Sequence, residues 1–186
     1  MRDETQIWLI RHAPARHEGR LAGRRDIMAD PPTATTARAL RGQVGAARIW
    51  ASPARRCVAT AQAIWPDQIP QTDPRLWEQD FGAWEGLPFA ELPDLGPLPA
   101  TDLAHHTPPG GESFATMCAR VAAALQELPA GTHCLVAHAG TVRAALALAI
   151  GSVPGALAFA VEPLSITRIT RLHGGWSVAG VNWRAA

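Results

Sequence analysis

Short apolar runs alternate along this chain with longer segments in which apolar residues recur at helical intervals. Four runs have the length and composition of strands: residues 7–10, 48–51, 69–71 and 134–137. Helices are predicted over four segments: residues 33–47, 54–65, 112–128 and 140–150. Residues 164–172 and 176–181 flank a Gly-Gly turn and predict a β-hairpin. This order predicts a three-layer α/β/α sandwich with a mostly parallel central sheet and an antiparallel edge hairpin.

The length of 186 residues fits one domain with a sizeable core. Residues 86–111 are rich in Pro and Gly and predict no long regular element. This segment could be a linker between two domains. Because too little chain follows it for a second domain of similar size, we interpret residues 1–186 as one domain in which 86–111 is an insertion covering the active site.

Composition narrows the classes of partner. The net charge is +1, which gives no electrostatic reason to expect nucleic acid or an anionic membrane surface. No apolar stretch approaches the length of a membrane span. The three cysteines, Cys57, Cys118 and Cys134, are far apart and have no metal-ligand spacing, which is typical of reduced thiols in the cytoplasm. We therefore expect neither a nucleic-acid nor a membrane partner, while the oligomeric state stays open.

Two predicted strands end in histidine. His12 follows residues 7–10, and His138 follows residues 134–137. Arg11 precedes the first histidine, and Arg56 lies in the first turn of a predicted helix, where the helix dipole favours anions rather than cations. If the two strands are neighbours, both imidazoles and both guanidiniums meet at one sheet edge, where an anion such as phosphate would suit them.

These residue types suit phosphoryl transfer. A neutral imidazole can attack phosphorus and form a phosphohistidine, and arginines can stabilise the charge on the equatorial oxygens. The leaving alkoxide needs a proton, for which Glu78 is the best-placed carboxyl group. Each residue also has an ordinary structural interpretation, namely a strand-end imidazole bonded to backbone, a solvated turn carboxylate or an exposed helix charge.

Five segments in order resemble the characteristic blocks of the histidine phosphatase superfamily, the phosphoglycerate mutase-like family. They are Ile10-Arg11-His12-Ala13, the Ser-Pro-Ala-Arg-Arg block at 52–56, the Leu-Trp-Glu-Gln-Asp-Phe-Gly block at 76–82, Gly-Gly-Glu-Ser at 110–113, and Ala-His-Ala-Gly-Thr-Val-Arg at 137–143. The combined match is highly specific, although no single block is.

The resemblance implies a fold and a set of roles. His12 would be the phosphorylated nucleophile, Glu78 the proton donor and acceptor, and Arg11, Arg56 and His138 the groups that bind the phosphoryl oxygens. The resemblance also implies that the reaction uses neither a metal nor an organic cofactor.

This chain departs from the family pattern at several positions. Ala13 and Ala139 stand where members carry glycine, which is tolerable if the backbone φ stays negative. Glu18 stands where many members carry an asparagine near the phosphate, so we expect its side chain to point away or the loop to run differently. Ala59 replaces a glutamine that in relatives supports the arginine.

The substrate is less defined than the chemistry. Residues 19–26 resemble the Gly-x-x-Tyr-Gly-x-x-Asp loop of α-ribazole phosphatases, although Ala22 replaces the tyrosine. Arg24 in this loop and Ala139 beside His138 are therefore candidate substrate-binding residues, with a solvated basic loop as the alternative for Arg24. Three functions stay open: a phosphomonoesterase acting on α-ribazole-5′-phosphate or a similar small metabolite, a phosphoglycerate mutase or sugar-bisphosphate phosphatase, and a catalytically silent binding domain of the same fold.

Overall fold

The strand that leads to His12 lies inside a six-stranded sheet with the order β3-β2-β4-β1-β5-β6 in the computed structural model. The structure describes residues 4–185, so both extreme ends of the predicted domain lie outside it. The strands are β1 (Thr5–Arg11), β2 (Arg48–Ala51), β3 (Gln71–Thr72), β4 (Gly131–Ala137), β5 (Ile166–Leu172) and β6 (Gly175–Trp183). The helices are α1 (Ala34–Val44), α2 (Arg55–Ile64), α3 (Ala100–His105), α4 (Phe114–Gln126), α5 (Ala139–Ile150) and α6 (Val153–Ala156).

Strand direction follows the predicted arrangement. Strands β1, β2, β3 and β4 are parallel, whereas β5 is antiparallel to both β1 and β6. The mostly parallel sheet with an antiparallel edge hairpin is therefore confirmed. The four parallel strands end at the same edge, which is where open α/β sheets bind ligands.

Strand β1 is buried on both faces, because its side chains alternate between two cores. Ile7 and Leu9 pack with helices α4 and α5, whereas Trp8 and Ile10 pack with helices α1 and α2. Helices thus cover the sheet on both sides, which confirms the three-layer α/β/α sandwich.

Helix ends are set by caps that shorten the predicted helices. Thr33 is the N-cap of α1, and its hydroxyl accepts the Thr36 N–H at 3.2 Å. The helix ends at Val44 rather than at Ala47, because Gly45 adopts φ 69°. In α4, Ser113 is the cap, so the helix begins two residues after the predicted start.

The third predicted strand was placed too early. The chain pairs with β2 through Gln71 and Thr72 rather than over residues 69–71. Pro70 has no N–H to donate to a sheet, and Ile69 is 91% exposed.

The Pro/Gly-rich segment 86–111 forms only short helices, at residues 89–91 and in α3. Phe89, in the early part of this segment, borders a cavity next to His12. Helix α3 packs on α4 and α6. Cys57, Cys118 and Cys134 are buried free thiols. No helix in the described chain is long and apolar enough to cross a membrane.

A pair of glycine substitutions tests this packing. Gly82 has φ 51°, and a Cβ there would overlap the Pro109 carbonyl oxygen, so we expect Gly82→Ala to lower the free energy of unfolding by at least about 2 kcal/mol. Gly42 is an exposed residue of helix α1 where an added methyl group would meet open space, so Gly42→Ala should raise the free energy of unfolding by about 0.5–1 kcal/mol. Urea unfolding measures both, and a similar response from the two variants would contradict the packing described.

Candidate active site

The two histidines that end predicted strands lie side by side. Strands β1 and β4 are parallel neighbours in which Arg11 lies opposite Ala137, so His12 and His138 leave the sheet together. Their ring centroids are 5.2 Å apart and their planes meet at 72°. The backbone N–H of His12 donates to the Ala137 carbonyl at 2.8 Å, which ties the two strand ends.

His12 is held as a neutral imidazole. Its Nδ1 lies 2.7 Å from the carbonyl oxygen of Ala13, and because a carbonyl can only accept, Nδ1 carries the proton and Nε2 keeps its lone pair. Burial is the main cause that lowers the pKa of His12 to about 3. The contact with the Ala13 carbonyl raises this pKa, whereas the charges of Arg56 and Arg11 lower it. The ring is thus unprotonated at neutral pH, as a nucleophile requires.

Arg56 is completely buried beside this ring. Its Nη1 donates to the Arg25 carbonyl at 2.8 Å and its Nη2 to the Gly23 carbonyl at 2.7 Å, while Nε is buried and has no partner among the described residues. Arg55 instead is exposed, and its backbone N–H donates to Asp26. The structure therefore places Arg56, and not Arg55, beside His12.

Arg11 is positioned by a strained turn. Its Nη1 donates to the Val161 carbonyl at 2.6 Å, and its Nε is buried without a partner in the described chain. The Arg11 carbonyl accepts the Leu164 N–H at 3.0 Å, and the Arg11 N–H donates to Ser165. Leu164 adopts φ 61°, a conformation that a turn of this kind usually reserves for glycine or asparagine.

His138 is fully buried in a polar and aromatic niche. Its Nε2 lies 2.8 Å from the Ser52 hydroxyl, and the Cys57 sulfur lies 3.5 Å from the same nitrogen. Trp77 stacks on the ring at a centroid distance of 6.3 Å and an angle of 10°. Burial lowers the pKa of His138 well below its ordinary value, and the positive charge of Arg56 adds to the effect.

Glu78 lies beside the first turn of helix α5. The Gln79 N–H donates to its Oε1 at 3.1 Å, and the Gly140 N–H approaches its Oε2 at 3.4 Å. A Cβ at position 140 would overlap Glu78 Oε1, so a larger residue there would displace this carboxyl group. Ala139 borders a small cavity of about 100 Å³ that Glu78 also lines.

Glu112 and Arg120 hold the segment that carries Glu78 in place through hydrogen bonds. Arg120 donates to the carbonyl oxygens of Trp77 and Glu78 at 2.8 and 3.0 Å, and its guanidinium also pairs with Glu112. Glu112 in turn accepts the Asp80 N–H at 3.1 Å. The Gly-Gly-Glu-Ser block at 110–113 thus fixes the acid-bearing segment.

Arg24, predicted to bind substrate, does not line the cavity next to His12. Its guanidinium donates to Glu112 at 3.1 Å and lies 3.5 Å from Asp80. The structure therefore places Arg24 among the ion pairs with Glu112 and Asp80, which support the segment that carries Glu78.

The cavity next to His12 has a volume of about 220 Å³. Arg11, His12, Arg56 and Glu78 line it, whereas the fully buried His138 is not among its lining residues. His17, Arg20, Phe81 and Phe89 border it as well and were not predicted. Phe81 lies in the block at 76–82, whereas no motif marks His17, Arg20 and Phe89, because a turn and a short bridge between Arg20 and Pro88 bring them to the site. The described residues contain no group of three or more His, Cys, Asp or Glu side chains that could hold a metal.

The departures from the family pattern fit this geometry. Ala13 is buried and has no positive φ, and Ala139 is the first residue of helix α5, so neither position needs glycine. Glu18 is exposed at φ 52° in a tight turn and does not line the cavity. Ala59 need not support Arg56, since two backbone carbonyls do so.

Known proteins share this fold and sequence pattern. A 6-phosphofructo-2-kinase/fructose-2,6-bisphosphatase of Caenorhabditis elegans is 30% identical over 151 residues, which cover 76% of this chain and 33% of that protein. The chain spans about a third of the length of the curated relatives it matches.

Solved structures match over nearly the whole chain. A mycobacterial glucosyl-3-phosphoglycerate phosphatase solved with VO3 has a TM-score of 0.82 and 26% identity over 100% of both chains. A candidate α-ribazole-5′-P phosphatase of Escherichia coli K-12 has a TM-score of 0.82 over 97% of both chains, and at 24% identity this likeness concerns the fold. Since the sequence also matches the family pattern over residues 7–184, the chain belongs to the histidine phosphatase superfamily, branch 1.

Proposed function

We propose that this protein is a metal-independent phosphomonoesterase that acts on a small phosphorylated metabolite through a phosphohistidine at His12. The observation that carries the proposal is the tautomer of His12, whose unprotonated Nε2 lies in a cavity also lined by Arg11 and Arg56. Each of these arginines has a buried Nε without a partner in the described chain, which suits an anionic phosphoryl group.

The reaction would proceed in two halves. In the first, His12 Nε2 forms a bond to phosphorus, the P–O ester bond breaks, and Glu78 donates its proton to the leaving alkoxide. In the second, the Glu78 carboxylate takes a proton from water, the water oxygen attacks phosphorus, and the bond to His12 breaks to release inorganic phosphate. Arg11 and Arg56 would stabilise the equatorial oxygens in both halves.

His138 would act as a neutral hydrogen-bond donor. The Ser52 hydroxyl accepts the Ala54 N–H at 3.4 Å, so its own proton is available for His138 Nε2. The proton of the imidazole would then lie on Nδ1, 3.8 Å from the Cys57 sulfur, in a ring whose centroid is 5.2 Å from that of His12. A neutral donor suits a buried ring beside Arg56, because a second buried cation would be costly there.

We propose α-ribazole-5′-phosphate as the candidate substrate. Support comes from the resemblance of residues 19–26 to the α-ribazole phosphatase loop and from the shared fold of the Escherichia coli protein. A sugar-bisphosphate phosphatase is the second candidate, favoured by the similarity to the Caenorhabditis elegans enzyme. The proposed cellular site is the cytoplasm, which three reduced cysteines would suit.

His12→Ala should lower the hydrolysis of p-nitrophenyl phosphate by at least about 10³-fold, because it removes the nucleophile. The assay is run in EDTA with thermal unfolding of each variant as a check on folding. His173→Ala, at an exposed hairpin turn, is the matched control and should keep full activity. Retained activity in His12→Ala would support a silent binding domain with a contaminating activity, and loss of wild-type activity in EDTA would contradict a metal-independent reaction.

Glu78→Gln should discriminate between leaving groups. Alkyl phosphates need a proton on the departing oxygen, so their kcat should fall by about 10²–10⁴-fold. Hydrolysis of p-nitrophenyl phosphate should fall far less, because its phenolate leaves without protonation. Glu91→Gln, an exposed carboxyl outside the cavity, serves as control. An equal loss for both ester types would mean that Glu78 supports binding or folding rather than proton transfer.

Release of inorganic phosphate from α-ribazole-5′-phosphate should exceed release from 2- and 3-phosphoglycerate and from fructose-2,6-bisphosphate, compared as kcat/KM. A preference of at least about tenfold, equal to roughly 1.4 kcal/mol of transition-state binding, is expected. If α-ribazole-5′-phosphate is no better than a generic alkyl phosphate, the assignment of this substrate is wrong while the phosphatase assignment stands.

A further inference from the structure

The cavity above His12 has two chemically different ends. The inner end carries Arg11, His12, Arg56 and Glu78, which the proposed function assigns to the phosphoryl group. We call the remaining lining residues the outer end, leaving aside Gly23, whose carbonyl holds Arg56: Ala15, His17, Arg20, Leu21, Ala22, Phe81 and Phe89. Because the phosphoryl group must face His12, the outer end is where the alcohol part of the ester would lie.

Two aromatic rings form part of this outer end. Phe89 is 50% exposed although it is a large apolar side chain, and its backbone N–H donates to the Gly19 carbonyl at 2.9 Å. The ring of His17 meets Phe89 edge to face, with centroids 5.2 Å apart. Phe81 is half-buried, and its N–H donates to Glu85 at 3.1 Å. Backbone hydrogen bonds thus hold both phenylalanines in place along the chain, and aromatic rings favour contact with another flat ring.

The charges of the cavity wall limit what else the alcohol can carry. Arg11 and Arg56 are assigned to the phosphoryl group, and Glu78 carries a proton when the ester binds, so a phosphomonoester dianion pairs with these two arginines. Arg24 is paired with Glu112 and Asp80 outside the cavity. A second anionic group on the same substrate would have Arg20 to pair with, which is exposed and already donates to the Gly86 carbonyl at 2.9 Å, and such solvent-exposed ion pairs are weak.

The polar groups at the mouth are donors that suit neutral oxygens. The Gly19 N–H donates to Nδ1 of His17 at 3.1 Å, so the His17 proton lies on Nε2. Arg20 uses one donor on the Gly86 carbonyl at 2.9 Å and has others left. Hydroxyl or ether oxygens of a substrate could accept from both side chains.

We propose that the leaving group of the substrate is a neutral alcohol with an aromatic ring, which contacts Phe81 and Phe89, and that these residues determine specificity. This inference rests on the proposed phosphatase function and sharpens it. It favours monophosphates of aromatic alcohols, including nucleoside-like compounds, over phosphoglycerates and sugar bisphosphates.

Three alkyl esters test the inference because all of them need the same protonation of the leaving oxygen. They are benzyl phosphate, with a neutral aromatic alcohol, glycerol 3-phosphate, with a neutral polar one, and 3-phosphoglycerate, with an anionic one. We expect kcat/KM to be highest for benzyl phosphate, about tenfold above glycerol 3-phosphate, and lowest for 3-phosphoglycerate.

Variants of the outer end assign the preference to its residues. Phe89→Ala should lower kcat/KM for benzyl phosphate about tenfold, mainly through KM, and that for glycerol 3-phosphate less than about threefold. Phe89→Leu keeps an apolar side chain and should show the same selective loss, which separates ring contact from folding. Ile69→Ala, at an exposed apolar residue outside the cavity, is the matched control and should change neither ester.

Two outcomes would overturn the inference and differ in what they leave standing. If p-nitrophenyl phosphate hydrolysis depends on His12 but 3-phosphoglycerate is preferred, or Phe89→Ala affects all three esters equally, the aromatic leaving group is wrong and the phosphatase function survives. If no ester shows hydrolysis that depends on His12, both proposals are wrong.

Discussion

The parallel pairing of β1 with β4 is the constraint on which the site depends. It aligns Arg11 with Ala137, so the next residue of each strand is a histidine at the same sheet edge. A shift of one residue in this register would send every side chain of β1 to the opposite face and separate the two rings. The apolar residues Ile7, Leu9 and Ile10, each fully buried, fix the register and so connect core packing directly to catalytic geometry.

The second constraint is electrostatic. Two guanidiniums and two imidazoles share a region with little water, and the rings can lie there only because burial and the neighbouring arginines keep them neutral by lowering their pKa values. The arginines themselves are held by carbonyl oxygens of loop residues rather than by carboxylates. No carboxylate thus pairs directly with either guanidinium in the described chain, which suits the proposed phosphoryl group, and Glu78, the proposed proton donor, lines the same cavity.

Sequence patterns predicted the layers and the strand directions, because the spacing of apolar residues depends on local structure. They also predicted that His12 and His138 lie close together if their strands are neighbours, because parallel strands end at the same sheet edge. They could not show whether Arg24 binds substrate, because a guanidinium in a basic loop can pair with either a ligand or the chain. In the structure it pairs with Glu112. His17 and Phe89 were missed for a related reason. Their place at the cavity depends on contacts between the 17–23 loop and the start of the 86–111 segment, which no local pattern encodes.

In the turn that positions Arg11, backbone strain and the placement of the guanidinium are linked. Leu164 holds a left-handed conformation that costs a residue with a Cβ about 1–2 kcal/mol, and its N–H is bonded to the carbonyl of Arg11. Glycine there would relieve the strain but would also free the turn to move, and with it the Val161 carbonyl that holds the guanidinium. Residue 164 is thus a position where the relief of backbone strain and the hold on Arg11, the proposed phosphoryl ligand, make opposite demands.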